Sequence, residues 1–482
     1  MLLTRRQLFS SFMSQSGQTA VSDPAIHLLN RITFGLIPDE LAYVRQIGID
    51  AYLEEQLNPE TIDDFATKAK LTKLPLLEMD RRTLYSLQDY SYRAHEQLVE
   101  GVIMRGVHSK RQLFERVVDF WTDHFNVSYD DDNGADLILY HREAIRQHAF
   151  GKFRDLLLAT AKHPAMLVYL DNFVNYAADP NENYARELLE LHTLGVDGGY
   201  TEQDVVEVAR AFTGWTIHNK TRDGFWFNRD DHDDDAKSIL GRNFPADRGI
   251  EDGLHVLGLL ANHPNTAAFI STKLAIRFVS DTPPQSLVQK MAASWQETDG
   301  EITAVLRSLF TSPEFAQSAG QKLRRPLEFF IGALRSSGSE YQAYRELQET
   351  VRQLGQLPFD WHPPNGYPDV AGAWMSTNGL LSRWNVAMQL TQGAYNDPHD
   401  TGWGIKTDLH NRLGNPSTVG QLVDSVATRI FGKPLQAANR EAFIRYVAGV
   451  GDTNTAVSPA LIAKKYGGLF GLLLASPLYQ WR

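Results

Sequence analysis

The stretch NENYARELLELHTLG, residues 181–195, decides how the chain is read. At 100° per residue, Tyr184, Leu188 and Leu191 fall on one face, and Ala185 and Leu189 widen it. Before it, Asp179-Pro180-Asn181-Glu182 offers a helix start, with Asp179 as N-cap, Pro180 at the first helical position and Glu182 closing a capping box. After it, Gly195 can take the left-handed stop. The expectation is a helix of about 14 residues, within the usual boundary scatter. His192 projects between Leu188 and Ala185 and so points inward, while Glu182, Arg186 and Glu190 make an i, i+4, i+8 ion ladder. Glu187 borders the apolar face but lies about 140° from His192, so the two do not form a HExxH-type pair. A site that uses both must recruit groups from other helices.

The helical period recurs along the chain. PDELAYVRQIGIDAYLEEQL (38–57), RQLFERVVDFWTDHF (111–125), HREAIRQHAFGKFRDLLLATAKH (141–163) and TAAFISTKLAIRFV (266–279) all carry it. Alternating patterns are nearly absent, except around GWTIHNKTRDGFWFNRDD (214–231), where Asp223-Gly224 offers a turn. The fold class expected is all-α: a large multi-helical, bundle-like body with long irregular loops and at most a small β-hairpin. Residues 1–25 read as an N-terminal tail and 26–482 as the helical body, with a division into two lobes near 320–360. The irregular stretches are an acidic turn at 129–137, an acidic loop at 228–249, read as solvated, and LPFDWHPPNGYPDVAGAW at 357–374, rich in Pro, Gly and aromatics.

Bulk composition narrows the functions. The 482 residues carry 47 basic and 58 acidic side chains, a net charge of −11 that argues against nucleic acid or an anionic membrane as main partner. With no cysteine, thiolate zinc sites, iron–sulfur clusters and cysteine nucleophiles are excluded. The N-terminal Thr4-Arg5-Arg6-Gln7-Leu8-Phe9 is like a twin-arginine signal, but Ser10, Ser11, Ser14 and Gln15 interrupt the apolar region that should follow. Localisation therefore stays open: cytoplasmic if the signal is degenerate, periplasmic otherwise. No unbroken apolar run is long enough for a membrane span. GxSxG, GxGxxG and GK[ST] phosphate-loop motifs are absent, which disfavours the common serine hydrolases and nucleotide cofactors.

Inward polar residues supply the candidate site. In RVVDFWTDHF (116–125), His124 lies beside Val117 at the edge of the apolar stripe. His124, Glu187 and His192 are candidate ligands for a divalent metal, and Glu187 and His124 candidate acid–base groups. Asp171 and Asn172, just before the capped helix, and Asn183 and Glu190 within it, are candidate binding residues, as are Trp374 and Arg383 beside the 357–374 loop. A lone inward histidine is more often a satisfied core residue, so the structural reading stands beside the functional one.

The blocks HLLNRITFGLIPDEL, RVVDFWTDHFNV, HPAMLVYLDN, NENYARELLELHTLGVDGGYTEQDVVEVARAFTGWT, LANHPNTAAFISTKLAIRFVSDTPP and RRPLEFFIGALRSSG, in this order, resemble the bacterial DUF1800 family, whose function is unknown. The resemblance runs from about residue 26 to the C-terminus and implies a mostly helical protein. It also implies a partner, because members are commonly encoded beside DUF1501 proteins, which look like exported members of the alkaline phosphatase and sulfatase group. It carries no catalytic role, and the family block PPNVKGWPGG is altered here to PPNGYPDVAGAW. Three readings remain: an enzyme with a His/carboxylate pocket between helices, hydrolysing a glycan or ester-type substrate with or without a metal; a metal-dependent oxidoreductase; or a non-catalytic helical partner of a DUF1501-like protein.

Overall fold

The computed structural model describes residues 23–130, 132–218, 224–338, 340–341, 345–396, 405–406 and 414–482. The twin-arginine-like segment and Asp223 of the expected turn lie outside them. Helices dominate the described residues, as the periodicity requires. The strands are short antiparallel pairs: Trp215–Ile217 with Phe225–Phe227, Lys237–Ile239 with Arg242–Phe244, and Glu340–Tyr341 with Ile405–Lys406. The first is the hairpin expected at 214–231.

Helix Pro326–Ser337 is the axis of the molecule. All twelve of its residues are buried, so it has no polar face and must be enclosed on every side. Pro326 opens it, the Glu328 side chain returns to the Arg325 backbone N–H at 3.1 Å, and Gly338 at φ +63° ends it. Gly332 lets a loop pass: a Cβ there would lie 2.6 Å from the Phe34 carbonyl oxygen.

Two amphipathic helices, Gln112–His124 and Pro264–Phe278, pack near this axis and send charged side chains toward it. Arg116 and Arg277 are both essentially unexposed. Farther along the chain, helix Thr377–Asn396 meets helix Pro459–Ala475 closely enough that a Cβ on Gly471 would lie 2.6 Å from the Thr391 hydroxyl. Buried apolar side chains from Ala25 to Tyr479 form one connected cluster. The last residue is stitched in: Arg482 exchanges backbone hydrogen bonds with Lys322 at 2.9 and 3.2 Å.

The 181–195 stretch folds differently in detail. Its helix starts at Asn183, not beside Asp179, and the Glu182 side chain does not cap it; the Asn181 side chain accepts the Asn183 N–H instead. After Glu187 the winding opens into a π-helix, Leu188–Thr193, whose exit is the Leu194 N–H to Leu189 carbonyl bond of 2.9 Å. Residues five apart come closer in angle along such a turn, so a uniform 100° spacing overstates the separation of Glu187 and His192. The ion ladder does form: Arg186 lies 3.1 Å from Glu182 and 3.7 Å from Glu190, and Glu202 joins at 2.8 Å. Gly195 takes φ +85° as a stop residue should.

The acidic 228–249 loop is built around cations. Lys237 is buried and reaches Asp252 at 2.9 Å, and Arg210 grips Asp233 through both carboxylate oxygens. Asp233 and Asp234 serve ion pairs with Arg210 and Arg229, while Asp230 and Asp235 are exposed, so the loop is solvated only in part.

Candidate functional site

His124 ends helix Gln112–His124 and is buried against Phe125, Phe120 and Trp121. Its Nε2 lies 3.1 Å from the His192 carbonyl oxygen, within the π-helix. A carbonyl only accepts, so Nε2 carries the proton and Nδ1 presents a lone pair. Lys273, one turn before Arg277 on helix Pro264–Phe278, places its Nζ 2.8 Å from that Nδ1. The imidazole is thus neutral and used at both nitrogens. Burial, with Lys273 and His192 nearby, holds its pKa well below the ordinary histidine value. His192 is equally buried, its rings 6.2 Å from those of His124; burial and then Lys273 push its pKa down to about 3. Its Nε2 has no hydrogen-bond partner among the described residues.

Lys273 is the chemically unusual group. It makes no ion pair among the described residues, and its ammonium sits against histidine and the Phe269 ring, 5.5 Å from the ring centre. Burial pushes its pKa down to about 8, with Arg277 adding to the drop and Asp123 and Asp369 opposing it. An amine in this range has a substantial neutral fraction near physiological pH.

Beside it lies a dense ion network. Arg277 donates to Asp119 at 2.7 Å and to Asp123 at 2.8 Å; Arg325 donates to the same two carboxylates, each at 2.5 Å. Arg277 also meets Asp369 through Nε, and Lys322 lies 3.3 Å from Asp369 and 2.8 Å from Asp281. Glu328 pairs with Arg116 and, at 2.6 Å, with Arg482. Burial, reinforced by Asp119, pushes Asp123 up despite Arg325 and Arg277. Burial works against ionised Glu328 too, but Arg116 and Arg482 hold it well below the usual carboxylate range. A cavity of about 30 Å³, lined in part by Asp119, Asp123, Asn126 and Tyr367, adjoins these carboxylates.

The 357–374 loop closes over this network. Asn126 donates to the Trp361 and Pro363 carbonyls at 2.8 Å each, and Tyr169 donates to the His362 carbonyl. Gly366, at φ +69°, rides on helix Gln112–His124; a Cβ there would lie 2.0 Å from the Asp123 carbonyl oxygen, so only glycine fits. The loop then delivers Asp369 to Arg277.

The expected residues divide. His124 and His192 come together. Glu187 is half-buried and enters no ion pair with either; burial and then Glu190 push its pKa up, and its charge is felt at Tyr169 rather than at His124. Asp171 sits exposed at φ +58° in a turn. Asn172 is buried and donates to the Phe212 and Trp215 carbonyls, which gives it a packing role. Asn183 is exposed at the helix start, and Glu190 serves the ladder. Trp374 donates to the Pro368 carbonyl at 3.0 Å and braces the loop. Arg383 is buried and donates to the Arg324 carbonyl and to Gln480, which ties the C-terminal segment to the axis. Among the described residues no group of three His, Cys, Asp or Glu side chains is arranged to hold a metal ion.

Sequence reasoning passed over Asp119, Asp123, Lys273, Arg277, Arg325, Glu328 and Asp369. A signal was present: Asp119 with Asp123, and Lys273 with Arg277, are i, i+4 pairs of charges on helices that carry a largely apolar buried face.

No helix among the described residues is long and apolar enough to cross a membrane. No curated protein and no solved structure matches the chain. The family model for DUF1800, a protein of unknown function, matches residues 27–481. The chain therefore belongs to the DUF1800 family.

Proposed function

We propose that the protein is an enzyme whose reacting groups are Lys273 and His124, acting on an ester or glycan-type bond by acid–base or nucleophilic chemistry. The observation that carries this reading is the 2.8 Å contact between the Lys273 ammonium and a neutral imidazole, with no carboxylate among the described residues in ion-pairing reach. An amine with a pKa of about 8 is neutral for roughly a tenth of the time at pH 7, some 300-fold more than one at 10.5. Nδ1 of His124 accepts a hydrogen bond from Lys273, and the His192 carbonyl fixes the tautomer that presents this lone pair. Glu187, with its raised pKa, is the further acid–base group of the reading. Both nitrogens of His124 are engaged in this arrangement, and Arg277 and Arg325 supply the positive charge that the neighbouring carboxylates need. This favours chemistry by the side chains themselves over a His124–Glu187–His192 metal site.

The test is turnover of chromogenic acetate ester and β-glycoside substrates by wild type, Lys273→Met and His124→Asn. Turnover that is lost in Lys273→Met and reduced in His124→Asn, with both variants folded by circular dichroism, supports the reading. Equal turnover in all three refutes it and leaves the helical-partner reading, in which the inward polar groups serve packing alone.

A further inference from the structure

Phe269 and Lys273 stand one turn apart on helix Pro264–Phe278, so they share a face. Both side chains are half-buried, and the Lys273 ammonium lies 5.5 Å from the centre of the Phe269 ring. One turn further on, Arg277 is buried. Lys273 therefore marks the place where the interior charges meet the surface, with an aromatic ring beside it.

The geometry leaves the Lys273 nitrogen able to react as an amine. Among the described residues no carboxylate pairs with it. Its hydrogen bond runs to the His124 Nδ1 lone pair at 2.8 Å, which engages one N–H and leaves the nitrogen's own lone pair unused once a proton has gone to water. A pKa of about 8 supplies a neutral fraction near physiological pH. What such an amine attacks with profit is limited. With an ester it ends as an amide, a bond more stable than the one it replaced, and the enzyme is consumed. With an aldehyde or ketone it forms an imine, which water reverses.

We propose that Lys273 forms a reversible imine with a small aldehyde or ketone whose carbon skeleton rests on the Phe269 ring. This rests on the reading of Lys273 as a reacting group, and it names a carbonyl compound as a substrate class for its nucleophilic chemistry. The neutral amine adds to the carbonyl carbon, and the C=O electron pair moves to oxygen. One proton passes from nitrogen to that oxygen. A second proton, from solvent, lets the oxygen leave as water while the nitrogen lone pair closes the C=N bond. The product is a protonated imine with the same single positive charge as the ammonium it replaces, so the Phe269 ring suits both. Its remaining N–H can still donate to His124 Nδ1, which orients the nitrogen throughout.

The experiment follows exchange of the carbonyl oxygen of acetone with isotope-labelled water, since each cycle of imine formation and hydrolysis replaces that oxygen. The full chain and Lys273→Met, both folded by circular dichroism, are compared at equal concentration near neutral pH. Exposed lysines give the same background in each. The expected result is exchange about tenfold or more faster with wild type, and, when cyanoborohydride is added, an isopropyl group on Lys273 by peptide mass spectrometry. Exchange no faster than with Lys273→Met, or reductive labelling spread evenly over the lysines, overturns the proposal. Ester turnover in the same preparations separates the two claims. If it depends on Lys273 while exchange does not, the imine alone is overturned; if neither depends on Lys273, the reading of Lys273 as a reacting group is overturned with it.

Discussion

Substituting Glu328 by Gln removes one charge from the centre of the molecule and keeps the side chain's shape. Glu328 is unexposed, pairs with Arg116 and Arg482, and accepts the Arg325 N–H. Glutamine can keep one of these hydrogen bonds but leaves two buried guanidiniums without their shared counter-charge. Breaking a buried pair from one side typically costs about 3–5 kcal/mol, because the remaining charge stays desolvated. The same substitution alters the acid limb of stability. The folded-state pKa of Glu328 is depressed, so its contribution is complete above the ordinary glutamate value of 4.5 and is lost as pH falls toward the folded value. Urea unfolding followed by tryptophan fluorescence should show a destabilised Glu328→Gln at pH 7, with the gap to wild type narrowing below about pH 4.5. A loss under about 1 kcal/mol at pH 7, or a gap that does not change with acid, would refute the view that Glu328 neutralises Arg116 and Arg482.

Other substitutions probe the rim. Gly366→Ala forces a Cβ against the Asp123 carbonyl and a side chain into positive φ, so the 357–374 loop should lift. Limited proteolysis should cut it faster there, with a stability loss of about 1–3 kcal/mol; an unchanged cleavage rate would mean the loop is not seated on Gly366. Glu187→Gln should change stability by no more than about 0.5 kcal/mol, since the carboxylate is half-exposed and makes no ion pair among the described residues. A large loss in thermal unfolding would show a buried partner for it.

The all-helical architecture was legible because burial of helix faces writes a 3.6-residue period into the sequence, and helices such as Gln112–His124 follow it closely. The hairpin strands at 215–217 and 225–227 were legible for the analogous reason. The start of the 183–193 helix was not. Asp179-Pro180 satisfies local capping rules, but Asn175, packed under Ala209, takes the Asn181 N–H and holds that segment extended. Nor did the sequence announce the π-turn at Leu188–Thr193, which depends on what packs against it and which alters every angle projected past Glu187. Of the candidate site, the inward placement of His124 and His192 was readable from their faces. Lys273 was not, because a lysine on an amphipathic helix ordinarily lies at the margin with its ammonium in water. Its spacing from Arg277 hints at a charged pair, but the contact with His124 is tertiary and marks it out. Asp369 was hidden for another reason: it reaches Arg277 from an irregular loop, where periodicity carries no information.

The central claim is that Lys273 is a depressed amine held by His124, and its titration tests this most directly. Rates of Lys273 acetylation by a small activated ester, read by peptide mass spectrometry across pH 6–11, report its pKa residue by residue. The account predicts a midpoint of about 8 in wild type, and a displaced midpoint in His124→Asn, where the neutral imidazole acceptor is gone. A wild-type midpoint near 10.5, shared with the exposed lysines and unmoved in His124→Asn, would contradict it.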